Sequence, residues 1–183
     1  VFSRRRELWY AGAAIIAVTA LYAVAGLQAG AFPAASGLVG HGIGIVGFVL
    51  MLMTETLYSI RKQSARADLG SMVSWLRFHI FTGLVGPYMV LLHTAMHFSG
   101  LAGVAMLLTA VVVASGVVGR YLYTATPRQL SLEPSTPAQA EKLAARRSAL
   151  ATWYSLHVPL TWVLFAIALA HAAAALYYAT LQR

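Results

Sequence analysis

The chain alternates long apolar runs with short polar connections. Five runs stand out: about Leu8 to Leu27, Leu38 to Ile60, Leu76 to Phe98, Leu101 to Tyr123 and Tyr154 to Tyr178. Each approaches the ~20 residues that a helix needs to cross the hydrocarbon core of a bilayer. Lipid cannot satisfy backbone amides, so helix is the conformation expected of every run. The expected fold is an all-α integral membrane protein, one domain over residues 1–183 with five transmembrane helices in a bundle. The connection from Thr124 to Thr152 is the only sizeable polar segment, and Pro127, Pro134 and Pro137 break it. Within residues 124–152, Ser135 or Thr136 is placed to cap a short amphipathic helix from about Pro137. Glu141 would fall in its first turns, with Arg146 and Arg147 towards its end. Such a helix could lie on anionic headgroups or offer a docking surface to a soluble partner.

Composition agrees with the pattern. The chain is 60% hydrophobic and 10% charged, with mean hydropathy +0.72, too apolar for a soluble domain. It has no cysteine, which excludes disulfides, cysteine-ligated clusters and thioether-attached haem within these residues. The net charge of +8 does not point to nucleic acid, because the basic residues crowd into the connections. Arg4, Arg5 and Arg6 precede the first run. Arg61, Lys62 and Arg66 follow the second, and Arg120, Arg128, Lys142, Arg146 and Arg147 lie between the fourth and fifth. The connections after the first and third runs carry no Lys or Arg. This asymmetry places the N-terminus and both basic loops in the cytoplasm and the C-terminus, with Arg183, outside. Ala23-Val24-Ala25 resembles a signal-peptide cleavage site, but the apolar run is longer than such a segment needs, so a retained helix is expected.

Four histidines carry the chemistry. His79 and His93 lie fourteen positions apart, as do His157 and His171, each pair within one apolar run. Fourteen helical residues span about 21 Å and return to within about 40° of the same face. Each helix would then carry an imidazole near either side of the membrane. With both helices running outward, His79 is expected opposite His157 near the cytoplasmic face, and His93 opposite His171 near the outer face. Two bis-histidine sites stacked in this way suit two b-type haems, since neutral imidazole gives iron a nitrogen with no charge to bury. Ionisable residues inside a membrane are costly and suggest function. A non-haem metal site, a proton path or plain packing are the other readings of these residues, and a histidine-rich metal-ion transporter is the alternative class.

Other positions fit around that frame. Gly86 lies seven residues from both His79 and His93, and Gly83 one turn beyond His79. Small residues there would let a backbone approach a macrocycle or another helix. Leu164 and Ala168 hold comparable places in the fifth run, and Pro87 should kink the third. Arg77 and Arg120 are suitably placed for haem propionates or for simple snorkelling. His97 follows His93 by four residues, making it the competing outer ligand, and with His41 it could border a quinone pocket. Glu55 is the one acid inside a run. Trp75, Tyr121, Tyr123, Trp153 and Tyr154 look like an interfacial aromatic belt.

The segments WLRFHIFTGLVGPYMVLLH and WYSLHVPLTWVLFAIALAH, with the order of the runs, resemble the ferric reductase-like transmembrane domain. That family includes the membrane parts of NADPH oxidases and ferric reductases. The four-histidine pattern is also similar to the haem-binding helices of the cytochrome b of quinol-oxidising complexes. The resemblance implies that His79, His93, His157 and His171 ligate two b haems in a transmembrane di-haem cytochrome b. These residues contain no Gly-rich dinucleotide fingerprint on a strand–helix unit. The expected electron partners are therefore other redox subunits, soluble carriers or the quinone pool, within a respiratory-type complex of a bacterial inner membrane.

Overall fold

The computed structural model describes residues 6–63, 70–124 and 136–181. All regular structure among them is α-helical: α1 (Arg6–Ala29), α2 (Leu38–Gln63), α3 (Met72–His93), α4 (Gly100–Thr124) and α5 (Pro137–Leu181). All five are long and apolar enough to cross a membrane. Their outward residues agree with that: Leu27 and Leu38 are 82% and 92% exposed, a condition that lipid satisfies and water does not. Arg4, Arg5, Arg66, Arg128, Pro127, Pro134, Ser135 and Arg183, used above for topology and capping, lie outside the described residues. The chain divides into two compact units, Val1–Phe98 and Ser99–Arg183.

In the first unit α2 and α3 pack antiparallel, in steps of seven. Gly40 meets His93, Gly47 meets Gly86, and Thr54 meets His79. A seven-residue step keeps one seam of each helix facing its neighbour. At the middle step there is no room for a side chain. A Cβ on Gly47 would come within 2.8 Å of the Gly86 carbonyl oxygen, and one on Gly86 within 2.9 Å of the Gly47 oxygen. Beside this crossing the Thr54 hydroxyl donates to Thr82 Oγ1 at 2.6 Å. Thr82, 1% exposed, passes its own proton to Phe78 O. Two buried hydroxyls are thus satisfied while tying the helices together, a bond worth about 0.6 kcal/mol in a bilayer.

α1 lies along α3 in the same direction. Ala11, Val85 and Met89 form the buried cluster, with Ala14, Val18, Ile43, Leu50, Phe81 and Leu84 around it. Thr19 Oγ1 and Tyr88 Oη are 2.5 Å apart. Thr19 gives its proton to Ile15 O, so the tyrosine is the donor. In the turn after α1, Tyr22 donates to Pro33 O and stacks on Phe32. At the other end of α2, Arg61 reaches the Gly70 carbonyl through Nε and Nη2, at 3.3 and 2.9 Å. Ser71 then caps α3 by accepting from the Ser74 amide, which starts this helix four residues before the apolar run at Leu76.

α3 also stops early. The apolar run continues to Phe98, but Ala95 and Met96 take left-handed φ values of 46° and 61°. Thr94 closes the end: its hydroxyl donates to Leu91 O and accepts from the Met96 amide, and its carbonyl accepts from the His97 amide. His97 is therefore off the helix. The expectation that His97 lies one helical turn beyond His93 on the same helix is corrected by this turn.

In the second unit α4 and α5 are antiparallel, with Ser115 against His157 and Gly119 against Trp153. The short helix expected inside residues 124–152 is not a separate element. Thr136 accepts from the Gln139 amide and Pro137 opens the helix, but α5 then runs unbroken for 45 residues, through Pro159. At 1.5 Å per residue that is about 67 Å, over twice the ~30 Å hydrocarbon core. Its first turns, with Glu141, Lys142, Arg146 and Arg147, extend past the apolar part.

The α2–α3 crossing generates a test with an internal control. Gly47→Val should destabilise the protein by about 1–3 kcal/mol, because the backbones must separate. Gly42→Val, on the same helix with no atom within 4 Å of its would-be Cβ, should change little. Unfolding of the detergent-solubilised protein in increasing SDS compares the two; equal losses would contradict the packing.

Candidate functional site

An imidazole inside an apolar helix must place the proton of one ring nitrogen on an acceptor. On α3 both histidines find a backbone carbonyl of α2. His79 Nδ1 lies 3.0 Å from Thr54 O, and His93 Nδ1 lies 2.9 Å from Gly40 O. A carbonyl can only accept, so both rings carry hydrogen on Nδ1 and a lone pair on Nε2. The two acceptors are fourteen residues apart on α2, matching the two histidines on α3. The ring of His79 also packs on Tyr58, one turn from Thr54, with centroids 4.9 Å apart. His93 lies over Gly44, where a Cβ would come within 2.7 Å of the imidazole. His41, near the start of α2, brings its ring to 5.8 Å from that of His93 and turns its own Nδ1 to Gly37 O.

On α5, His157 is held by side chains. Its Nδ1 is 2.5 Å from Ser115 Oγ, and the Ser115 proton goes to Val112 O at 2.9 Å. With that proton on Val112 O, the hydroxyl is left to accept from the imidazole Nδ1–H. Trp153, one turn earlier on α5, stacks on the His157 ring with centroids 4.9 Å apart and planes inclined by 24°. Its indole nitrogen donates to Ser115 O at 2.7 Å. Gly119 makes the room, since a Cβ there would collide with the six-membered ring of Trp153. Trp153, expected in an interfacial belt, is thus also a contact of His157. His171 is half-buried and has no hydrogen-bond partner among the described residues.

The remaining candidates divide clearly. Gly86 serves the α2–α3 crossing, and a Cβ on Gly83 would touch Thr54 Cγ2 at 3.4 Å. Of the two purposes open to these glycines, the approach of another helix is the one seen. Arg77 lines a cavity of 290 Å³ with Arg6, Glu7, Tyr10, Phe78 and Phe81, between the first turns of α1 and α3. Glu7 is 8% exposed, a buried acid that the pattern of apolar runs missed because α1 begins earlier than the run at Leu8. Arg120 is half-buried near the C-terminal end of α4. His97 is exposed and bonds Ala95 O through Nδ1 within its own turn. Glu55 accepts from Ser59.

The residues that sequence reasoning missed are the acceptors: Gly40, Thr54 and Ser115, with Gly44 and Trp153 shaping the space. What they accomplish is common to metal-binding imidazoles: one nitrogen is held protonated by a second group, so the other is presented as a neutral donor. Among the described residues no three His, Cys, Asp or Glu side chains gather as a metal-ion cluster. Comparisons of the chain with family models, with curated proteins and with solved structures give no match.

The tautomers are directly measurable. Nitrogen-15 NMR of the protein labelled at histidine and prepared without added cofactor should show His79, His93 and His157 neutral and protonated at Nδ1. Gly44→Ala should disturb the His93 signal and leave His157 in place. Protonation of His79 at Nε2 alone would contradict the bond to Thr54.

Proposed function

We propose that the chain is a membrane cytochrome b that carries electrons between the two faces of a bilayer through two b haems. In this reading His79 pairs with His157 as the axial ligands of one haem, and His93 with His171 as those of the other. The observation that carries it is the matched anchoring on α3: two histidines fourteen residues apart, each with Nδ1 on an α2 carbonyl. The donor set suits the cofactor, because a b haem takes two neutral nitrogens and no third protein ligand.

A bound haem supplies reversible one-electron chemistry. The chain's residues supply its place and its electronics. Thr54, Gly40 and Ser115 hold three imidazoles in the ligating tautomer, and an anchored Nδ1–H makes each ring a stronger donor. Arg77 and Arg120 are the cations assigned to propionates. In kind, the protein would be like the ferric reductase-like domain or the cytochrome b of quinol-oxidising complexes. It would serve as a subunit that exchanges electrons with other redox subunits, soluble carriers or the quinone pool, with His41 and His97 on the outer side assigned to a quinone. The membrane is proposed to be the bacterial inner membrane, with the N-terminus cytoplasmic and the C-terminus outside. Electron movement across it then couples to membrane potential at about 2.3 kcal/mol per 100 mV.

A pyridine haemochrome assay on the purified protein decides the matter. Two b haems per chain are expected, with a Soret band that shifts on reduction. His157→Ala should lower the content to about one, whereas His97→Ala should retain both. A colourless protein that binds divalent metal would overturn the reading in favour of a metal-handling one.

A further inference from the structure

Three histidines anchor Nδ1 on a neighbouring helix, but only one of them is anchored by a side chain. His79 and His93 use backbone carbonyls, which every residue at those positions would provide. His157 depends on the hydroxyl of Ser115. Trp153 ties this arrangement together, because its indole covers the His157 ring while its N–H holds the Ser115 carbonyl. One serine therefore touches both members of the stacked pair, through Oγ and through its backbone oxygen. Gly119 keeps the indole against α4, and a Cβ on Gly116 would still pass the His157 ring at 3.7 Å, so the imidazole lies flush with that helix.

We propose that Ser115 and Trp153 are positioning residues for His157: the serine fixes its tautomer and donor strength, and the indole fixes the plane of its ring. The assignment rests on the cytochrome reading for its redox consequence, and on the contacts alone for its structural one. The direction of the effect follows from the chemistry. An imidazole whose N–H is given to an acceptor pushes more electron density through its other nitrogen. That favours the oxidised form of a metal it ligates. Removing the acceptor should weaken the push and raise the potential of that one centre. The effect should be confined to a single centre, because Ser115 contacts no other histidine among the described residues.

The test uses the intact purified protein and three variants, Ser115→Ala, Ser115→Thr and Trp153→Phe. Nitrogen-15 NMR of the cofactor-free protein reads the contact itself. Ser115→Ala should shift the His157 Nδ1 signal or return the ring to a mixture of tautomers, and Ser115→Thr, which keeps the hydroxyl, should restore it. In the haem-loaded protein, potentiometric titration should show one of two components moved to higher potential in Ser115→Ala and the other unmoved. Low-temperature EPR should show one low-spin signal altered in Trp153→Phe, because the ring plane sets its anisotropy. An unchanged His157 signal in Ser115→Ala, or equal shifts of both components, would overturn the proposal. A wild-type protein without haem would instead overturn the cytochrome reading, and the NMR measurement would still decide whether Ser115 holds His157.

Discussion

A ring nitrogen that carries hydrogen cannot be left bare in hydrocarbon, and this constraint organises both units of the protein. Each of three histidines has an acceptor on a neighbouring helix, so each helix that carries them has a companion: α2 for α3, and α4 for α5. Close approach is the condition for this. An Nδ1 reaches a backbone oxygen of the next helix only if the two backbones nearly touch, which Gly47 and Gly86 permit. On α4 the serine side chain extends the reach, and the contact there is made beside Gly116 and Gly119 instead of at a glycine pair. The small residues and the histidines are therefore one feature of the chain. The glycines bring the companion helix within range, and the imidazoles use what it offers.

The positions of the five helices were legible from the apolar runs, since length and hydropathy suffice for a segment whose backbone must satisfy itself. The α3 terminus was not, because its stop is made by left-handed Ala95 and Met96, residues that do not advertise that conformation as Gly or Asn would. The continuity of α5 was hidden for the opposite reason. Its polar first turns share no periodic signal with its apolar remainder, yet nothing between Pro137 and Leu181 ends the helix.

The histidine spacing was visible at once, whereas the acceptors were not. Thr54 and Gly40 contribute backbone oxygens, which have no signature in residue type. Ser115 bonds its own helix at Val112 O, as many helical serines do, and nothing in its residue type marks it as a partner of His157. Trp153 read as an interfacial aromatic because tryptophans commonly are. One signal was available: WLRFH and WYSLH both place a tryptophan four residues before a histidine, one turn along the same face. The structure uses the two differently. Trp153 covers His157, while Trp75 meets Phe78 edge-on and leaves His79 to Tyr58. Which aromatic covers which imidazole depends on the companion helix, and a single helix cannot reveal it.

The early stop of α3 has an electrical consequence. Because the helix ends at His93, that imidazole sits on the final turn, at the negative pole of the peptide dipoles. His79, in the second turn after Ser71, sits towards the positive pole. A positive charge is thus favoured at the His93 end of α3. The rod that carries both rings is polarised along the axis that separates them.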